Sequence, residues 1–549
     1  MDPSAPPPSA SAPRWSNWSG NIQHLPAING ADYLFTPKGL AELQAVVARA
    51  RADGVTLRVT GQRHSQSALV ADDNRNAPPA SPHVYLVDMS CYVDVGDRGI
   101  RLGPGANQIT VNPGVREDDV DAFLTAHNLM FRTATAGGFF SLGGMTAVDV
   151  HGGTVQAPIF AETASAFTIL GADSTLATID SQTPAFNGWS PLQFARVSLG
   201  GLGIVTQIVL DVKPRPWATS LQGSVTRYLL KDKQSFVVQF QELLTGPGKH
   251  DRIEAFYTPY AAAPNLPVVP PQKNFLVLGW DEVADPDPKI PNGATDPATA
   301  CKLAAQDNFG APMLGGLAAY GVRFVRESQC FTSPYNPIHM PPVPTAGYTA
   351  IALDEIEKQA KVAIAAHSDL WLAEASQVMF MSYFIEMPNL DAAGIGKIWD
   401  GLDVVARRVI QDNVFHIAAP MEFRIIRAGN SAMSGTYSEN PNAYFVNLDL
   451  IGFIEPTSSA EYPTKLLQLF ADVEREWVAM GGFPHNGKMF GFYDPSRPKG
   501  SHTAAFNPNF LGELRERRGV RLQAFCSYRK TRDPDGLFDN SYLRELLEG

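Results

Sequence analysis

Two loops that combine glycine with histidine are the parts of this sequence best suited to bind a cofactor. The first, LRVTGQRHSQSALV at residues 57–70, changes from apolar to polar at Gly61 and carries His64. The second, ATAGGFFSLGGMTAVDVHGGTVQAP at 134–158, carries His151. Glycine lets the backbone approach a phosphate where a Cβ would block it, and successive N–H groups can then bind the oxygens. The pattern predicts a site for a cofactor that contains a phosphate or diphosphate.

A pair of ionisable residues lies on the strand-like segment MEFRII. Glu422 and Arg424 are two residues apart, so both side chains leave the same face of a strand, about 7 Å apart. Their neighbours are apolar, and burying such a pair is costly unless the charges meet partners. A solvent-facing pair on an amphipathic strand is the ordinary interpretation. The apolar flanks favour a buried pair instead, which is typical of active sites.

Other familiar cofactor and metal motifs are missing from the sequence. GGLGIV at 200–205 lacks the GxGxxG spacing of a strand-to-helix turn, and no GxxxxGK followed by Ser or Thr occurs. A Rossmann or P-loop nucleotide fold is therefore disfavoured. Cys91, Cys301, Cys330 and Cys526 have no CxxC spacing and no histidine at ligand spacing. We therefore expect free thiols and no metal site.

Length and composition limit the architecture. A chain of 549 residues exceeds one hydrophobic core, which stops growing at roughly 250 to 300 residues, so two or more domains are expected. Hydrophobic residues make up 44% and charged residues 18%, which is a globular balance. The net charge of −11 argues against a general surface for nucleic acid or anionic membranes. No run of about 18 uncharged apolar residues occurs, so we predict no transmembrane segment.

Short helices and strands alternate in the first part of the chain. Residues 33–60 are predicted to form a strand, a helix and a strand, and short β segments follow from 84 to 115. The alternation continues to Pro214 and predicts an α+β domain. Beyond it, the apolar segments QVMFMSYFIEM, HIAAPMEFRIIRAG and NAYFVNLDLIGF predict three long strands of one sheet.

Three segments, in this order and spacing, resemble the FAD-binding module of the vanillyl-alcohol oxidase superfamily, also called the PCMH-type flavin domain. They are VTGQRHSQSAL, ATAGGFFSLGGMTAVDVHGG and RVSLGGLGIVT. The resemblance implies that His64 is joined covalently to the 8α-methyl group of FAD, whereas a loop histidine bonded to a neighbour is the alternative. For His151, a role as a buried core histidine is at least as good an explanation as contact with the cofactor. The implied cofactor-binding residues are Gly61, Gln62, Arg63, His64, Ser65, Gly137, Gly138, Ser141, Gly143, Gly144, His151, Gly152, Gly203, Ile204 and Val205.

The same resemblance implies how the chain is divided. The fold class that we expect is α+β, with a PCMH-type FAD-binding domain of two subdomains and a cap domain on a large antiparallel sheet with flanking helices. The expected parts are a flexible Pro/Ser-rich tail at 1–24, the FAD-binding domain at 25–214, the substrate-binding cap domain at 215–499 and a C-terminal return to the FAD-binding domain at 500–549.

The E-x-R strand resembles the catalytic strand of type II cholesterol oxidases, which bind FAD covalently, and also that of alditol oxidases. RIEAFYTPY with Glu254, AYFVNLDL with Asn447 and the tail RDPDGLFDNSYLRELL are similar to cholesterol oxidase segments. FPHNGKMFGFY at 483–493 resembles the PHWGK element of sugar-alcohol and aldonolactone oxidases, although Asn486 replaces the tryptophan. The resemblance implies catalytic roles for Glu422, Arg424, Glu254, Asn447 and Lys488, whereas an ordinary surface lysine is the alternative for Lys488.

The expected chemistry is oxidation of an alcohol, which needs a base for the hydroxyl proton, a group that stabilises developing charge and a fixed geometry. Glu422 is the candidate base and Arg424 its electrostatic partner. Because arginine would lower the glutamate pKa, a dry pocket must raise it. Abundant Phe, Met, Trp and Pro between 255 and 385 predict an apolar pocket for a hydrophobic secondary alcohol such as cholesterol. Its products would be the ketone and, from O2, H2O2; the sterol enzymes also isomerise a double bond.

Two alternatives stay open. A sugar-alcohol or aldonolactone oxidase on the same fold would need a polar pocket, and a flavoprotein could bind a hydrophobic ligand without turnover. The expected partners are a small hydrophobic alcohol and O2, without nucleic acid; transient contact with a membrane surface is allowed and a monomer is favoured. The N-terminus as written has no secretory leader, so we expect a cytoplasmic protein, with secretion after loss of a leader as the alternative.

Overall fold

The structure is a computed structural model that describes residues 15–217, 219–262, 273–283, 342–372, 378–410, 415–417, 419–452, 462 and 464–549. Its larger sheets have three, five and seven strands. No helix in these ranges is long and apolar enough to cross a membrane.

The N-terminal segment is ordered where the described residues begin. Strands β1 (Trp15–Ser16) and β2 (Gln23–His24) pair antiparallel. Trp15 is 2% exposed and Trp18 3% exposed, and the Trp15 indole donates a hydrogen bond to Thr60 Oγ1 over 3.0 Å. The prediction of a flexible tail is therefore wrong for residues 15–24, because burial of these indoles fixes the segment against the cofactor loop.

A three-stranded parallel sheet follows. Its elements are β3 (Leu34–Phe35), α1 (Leu40–Asp53), β4 (Thr56–Thr60) and β5 (Val84–Asp88). Strand β5 lies between β3 and β4 and is parallel to both. Helix α1 ends at Gly54, whose φ of 66° is the left-handed conformation that glycine adopts easily. The strand–helix–strand prediction is confirmed, and β4 delivers the chain directly to the first cofactor loop.

A five-stranded antiparallel sheet forms the other half of this region. The helices and strands of this part of the chain are β6 (Ile100–Leu102), β7 (Gln108–Val111), α2 (Glu117–Ala126), β8 (Leu129–Met130), α3 (Leu142–Ala147), β9 (Ala164–Leu170), β10 (Leu176–Asp180), α4 (Pro191–Ala195), β11 (Ile204–Asp211) and β12 (Lys213–Pro214). The strand order is β10-β9-β11-β7-β6, and β8 pairs separately with β12. Strand β11 alternates buried and half-buried residues, as expected when one face of a sheet covers the core.

A seven-stranded antiparallel sheet carries most of the remaining chain. Its elements are β13 (Leu221–Tyr228), α5 (Lys233–Thr245), β14 (Arg252–Tyr257), β15 (Phe275–Glu282), α6 (Pro342–Ala365), β16 (Met379–Met387), α7 (Ala392–Ile410), β17 (Met421–Arg427), β18 (Tyr444–Gly452), α8 (Thr464–Ala479) and β19 (Phe483–Pro484). The order is β13-β15-β14-β17-β18-β16-β19. The three long apolar segments are β16, β17 and β18, so their placement in one sheet is confirmed.

The C-terminal helices return to the beginning of the chain. They are α9 (Pro508–Arg532), which is kinked at Gly519, and α10 (Ser541–Leu547). The Leu57 amide donates to the Leu537 carbonyl over 2.7 Å, and the Arg58 guanidinium donates to the Phe538 carbonyl over 2.6 Å.

Two main cores hold these layers. One packs around the parallel sheet and includes Leu537 and Phe538 from the C-terminal segment. The other is continuous from the five-stranded sheet to the seven-stranded sheet. The α+β prediction with a large antiparallel sheet is confirmed, and the shared core fixes the two larger sheets against each other.

The cysteines depart from the expectation of free thiols. Cys91 is disulfide-bonded. Cys526 is a free, half-buried thiol. No cluster of three or more potential metal ligands occurs in the described part of the chain.

Candidate active site

A cavity of ≈ 300 Å³ lies between the two glycine loops and one face of the seven-stranded sheet. Of the predicted residues, those in its wall are Gly61, Gln62, Arg63, His64, Ser65, Gly137, Ser141, Gly143, Gly144, His151, Gly203, Val205, Glu254, Glu422, Arg424 and Lys488. The structure does not place Gly138, Gly152, Ile204 or Asn447 in the wall. Residues separated by more than 400 positions in sequence thus share one cavity.

The four residues outside the wall have structural contacts. The Gly138 amide donates to Thr135 Oγ1 over 3.2 Å, and the Gly152 amide donates to Thr133 Oγ1 over 3.1 Å. Ile204 packs in the core of the parallel sheet. Asn447 is fully buried behind the wall.

His64 lies in an aromatic box. Its ring stacks on Trp18, with centroids 4.9 Å apart and planes at 18°, and on Phe139 at 5.2 Å. Phe140 meets it edge-on at 4.6 Å. Burial, with the charges of Lys488 and Arg116, holds the pKa of His64 well below its usual value. The imidazole is therefore neutral at ordinary pH, with its ring plane fixed by packing.

The glycines of the two loops bring the loops into contact with each other. A Cβ at Gly61 would lie 2.0 Å from Ser141 Oγ and 3.2 Å from Ser141 Cβ. Gly203 has φ of +126°, and a Cβ there would lie 2.6 Å from the Leu170 carbonyl oxygen. Glycine is required at these positions because one part of the protein packs closely against another. The sequence pattern alone attributed this requirement to the approach of a phosphate.

His151 connects the second loop to the substrate side. Its backbone carbonyl accepts a hydrogen bond from Arg424 Nη1 over 3.2 Å. Its ring meets Phe384 edge-on with centroids 5.3 Å apart. Burial holds its pKa well below the usual value, and the charge of Arg424 adds to this effect.

The register of the sheet gathers polar side chains on the face that lines the cavity. Arg424 on β17 lies opposite Glu254 on β14 and Asn447 on β18. Glu422 lies opposite Asp449 on β18, and Asp449 lies opposite Ser382 on β16. Since directly opposite residues project from the same face, alternation along each strand produces the whole row.

Arg424 is the centre of this row. Its Nη2 donates to Glu254 Oε1 over 2.7 Å and also forms an ion pair with Glu422. Trp371 Nε1 donates to the other oxygen of Glu254 over 2.7 Å. Burial raises the pKa of Glu254 above its usual value, and Arg424 opposes this. Burial alone would lower the pKa of Arg424, but the two carboxylates raise it, so the guanidinium stays charged.

Lys488 lies at the other side of the cavity, after β19. Its ammonium nitrogen is 3.9 Å from the centre of the Phe380 ring. Burial lowers its pKa, while the charges of Asp449 and Glu422 raise it. The interpretation as an ordinary surface lysine is wrong, because the ammonium group faces the cavity wall rather than open solvent.

The loop that carries Lys488 is fixed by buried hydrogen bonds. Asp149 Oδ2 accepts from the Asn486 amide over 2.8 Å and from Asn486 Nδ2 over 2.6 Å. Arg518 Nη2 donates to Asn486 Oδ1 over 2.7 Å. Asn486, the residue that departs from the PHWGK pattern, is thus a structural residue behind the wall.

Among the residues of the wall that were not predicted from the sequence, three have a clear place in the site. Asp449 and Ser382 complete the polar row, and Trp18 covers His64. Asp449 had a usable signal, since it is two residues from Asn447 on a predicted strand and so shares its face. Trp18 had none, because its importance depends on a contact with a loop 46 residues later.

Comparison with known proteins supports this architecture. Residues 31–180 match the FAD binding domain family, and residues 401–546 match the D-arabinono-1,4-lactone oxidase family. The chain thus combines a PCMH-type FAD-binding domain with a D-arabinono-1,4-lactone oxidase domain. The expected resemblance is therefore confirmed at the level of the superfamily.

Relatives and solved structures point to two kinds of enzyme. L-Gulonolactone oxidase of Mus musculus is 23% identical over 202 residues, which are 37% of this chain and 41% of that protein. D-Arabinono-1,4-lactone oxidase of Yarrowia lipolytica is 25% identical over 214 residues, 38% of this chain and 36% of that protein. The chain thus spans less than half the length of these relatives.

Similarity of structure extends over almost the whole chain. A solvent-stable cholesterol oxidase has a TM-score of 0.69 and 15% identity, covering 97% of both chains. The cholesterol oxidase from B. sterolicum has a TM-score of 0.67 and 15% identity, covering 97% of this chain and 96% of that one. At this identity the likeness establishes the fold.

The cavity fits the FAD that such a domain binds. Glycine and small hydroxyl side chains form much of its cofactor half: Gly61, Ser65, Ser67, Gly137, Ser141, Gly143, Gly144, Thr146, Ser198, Gly200 and Gly203. A Cβ at Gly144 would have only Ser141 Oγ, at 3.2 Å, within contact distance. The space beside it is therefore cavity, and the absence of side chains leaves the backbone accessible to a diphosphate.

Proposed function

We propose that this protein is an FAD-dependent oxidase of a secondary alcohol. The observation that carries the proposal is the row of polar side chains centred on Arg424, which lines the same cavity as the two glycine loops. Bound FAD supplies the hydride acceptor for a CH–OH group and passes the electrons to O2, giving H2O2. The chain's own residues bind the hydroxyl group, hold its charge and exclude water.

We propose that the flavin is attached covalently through His64. The neutral imidazole is the nucleophilic form, and the aromatic box of Trp18, Phe139 and Phe140 fixes its plane. Both properties favour bond formation at a ring nitrogen over a role in hydrogen bonding alone.

The preferred substrate is a hydrophobic alcohol of sterol type. Apolar side chains surround the polar row in the cavity wall: Phe256, Ile356, Trp371, Leu372, Phe380 and Ile451. Contact with apolar surface contributes roughly 25 cal/mol per Å² to binding of such a ligand. The apolar pocket was predicted partly from residues 263–272 and 284–341, which lie outside the described residues. Double-bond isomerisation, as in cholesterol oxidases, is an extension of this proposal.

An aldonolactone or alditol is the second candidate substrate. It is favoured by the match of residues 401–546 to a lactone oxidase family and by the density of hydrogen-bonding groups along β17 and β18. A polyhydroxy substrate would use Ser382, in the cavity wall beside this cluster, as a further partner.

Within either proposal Arg424 stabilises negative charge on the substrate oxygen, and Glu254 keeps Arg424 in place. Lys488 contributes a second positive charge. Glu422 is the base that the sequence suggests, but its carboxylate is engaged in an ion pair with Arg424.

The test begins with the cofactor. The purified protein is precipitated with acid, beside the variant His64→Ala. Yellow colour that stays in the wild-type pellet and leaves the variant pellet supports attachment at His64. Colour released from the wild type overturns the covalent link alone. A colourless protein that FAD cannot reconstitute overturns the whole proposal.

The substrate is tested by anaerobic bleaching of the flavin. Cholesterol, L-gulono-1,4-lactone and D-arabinono-1,4-lactone are compared at equal concentrations. Bleaching by the sterol supports the first substrate class, and bleaching by a lactone alone supports the second. A flavin that no alcohol bleaches would indicate ligand binding without turnover.

A further inference from the structure

Asp449 is a carboxylate that the Arg424 cluster does not use. It lies on β18, between Glu422 of β17 and Ser382 of β16. The residue is only 7% exposed, and it lines the cavity. Its side chain therefore faces the place where the polar end of a substrate would bind.

One oxygen of Asp449 lacks a donor. Ser382 lies opposite Asp449 on β16, and its Oγ accepts a hydrogen bond from Asn447 Nδ2 over 2.8 Å. Asp449 Oδ1 is buried and has no hydrogen-bond partner among the described residues. A buried carboxylate oxygen without a donor is unfavourable, and a donor on a ligand would supply the missing hydrogen bond.

The neighbouring carboxylates are already engaged. Each oxygen of Glu254 accepts a hydrogen bond, one from Arg424 and the other from Trp371. Glu422 is in an ion pair with Arg424. Among the described carboxylates of the cavity wall, Asp449 is the one with a fully buried oxygen that has no hydrogen-bond partner.

We propose that Asp449 binds the reacting hydroxyl group of the substrate through Oδ1 and accepts its proton. The substrate O–H bond breaks and the carboxylate becomes a carboxylic acid. The electron pair left on the substrate oxygen forms the carbonyl, while the hydride on the adjacent carbon goes to the flavin oxidant of the proposed function. The inference rests on that function, and it replaces Glu422 as the base.

The charges around Asp449 agree with this role. Burial, and then the negative charge of Glu422, raise the pKa of Asp449 to about 6. Lys488, the Ser382 hydroxyl and Arg424 act in the opposite direction. Above this pH the carboxylate is ionised and able to take a proton, so the rate of flavin reduction should rise through about pH 6 and then level off.

The experiment measures flavin reduction by stopped flow, without oxygen, in the holoenzyme from pH 4.5 to 8.5. Asp449→Asn should lower the rate by about 100-fold or more and remove the rise with pH. Glu422→Gln should keep the rise and move it to lower pH, because a negative charge beside Asp449 is lost. Lys488→Met should move it to higher pH. A rate and pH profile of Asp449→Asn within threefold of the wild type would overturn the proposal.

A second measurement does not depend on turnover. The absorbance of the bound flavin is titrated over the same pH range without substrate. A step near pH 6 that Asp449→Asn lacks, at unchanged flavin content, supports proton binding by Asp449. No step in the wild type, or the same step in Asp449→Asn, overturns it. If no alcohol reduces the wild-type flavin, the proposed function fails and this titration alone decides the role of Asp449.

Discussion

Replacing Gly61 with alanine should force the two cofactor loops apart. The new Cβ would lie 2.0 Å from Ser141 Oγ and 3.2 Å from Ser141 Cβ, whereas carbon atoms in contact are normally about 3.5 to 4.0 Å apart. Rotation of the serine would relieve the contact with Oγ. The contact between the two Cβ atoms would remain, because the two backbones fix it.

The expected cost is that of overpacking a buried contact, about 1 to 3 kcal/mol of the free energy of unfolding. The variant Ser141→Gly removes both atoms that the new methyl group would meet. The double variant Gly61→Ala/Ser141→Gly should therefore recover most of the loss that Gly61→Ala produces. The two substitutions should show a coupling energy of about 1 to 3 kcal/mol in a double-mutant cycle.

Unfolding by urea, followed by tryptophan and flavin fluorescence, measures these free energies. Gly512→Ala is the matched control, because an added Cβ there meets only Arg515 Nη2, at 3.6 Å. On helix α9 this change should be neutral or stabilising, by about 0.4 to 1 kcal/mol. A coupling energy near zero between positions 61 and 141 would refute the packing role assigned to Gly61.

Two further perturbations test the aromatic box around His64 and Glu474, a buried carboxylate of α8 that lies outside the cavity wall. Trp18→Ala should lower the fraction of covalently bound flavin several-fold, measured as flavin fluorescence in a denaturing gel. Trp18→Phe keeps an aromatic ring over His64 and should keep most of the attachment. Equal attachment in both variants would contradict the role of the aromatic box. Burial raises the pKa of Glu474 to about 7. Its contribution to stability is therefore complete below pH 4.5 and falls, by roughly 3 kcal/mol, as the pH rises to about 7. Glu474→Gln should reduce the change in the free energy of unfolding, measured with urea, between pH 5 and 8. An unchanged dependence on pH would contradict the raised pKa of Glu474.

Local patterns predicted much of the fold. Period-two alternation placed Glu422 and Arg424 on one strand face, and the pattern of residues 33–60 predicted α1 between two strands. The superfamily was evident from three short segments, because glycine positions depend on backbone geometry that few other residues tolerate.

The remaining features depend on contacts that no local pattern contains. Arg424 meets Glu254, 170 positions away, only because β14 is the neighbour of β17 in the sheet. The aromatic box requires Trp18, from a segment whose composition predicts a flexible tail. The sequence places Asp449 on the same strand face as Asn447, but it does not show that the sheet register sets Asp449 opposite Glu422.

The bonds from Leu57 and Arg58 to the C-terminal segment also have a consequence for biosynthesis. Arg58 and Phe538 are 480 positions apart, so the contacts between β4 and the C-terminal segment form only when nearly the whole polypeptide has left the ribosome. At a synthesis rate of about 5 to 20 residues per second, Phe538 is made roughly 24 to 96 s after Arg58. Capture of the flavin is thus expected after translation ends.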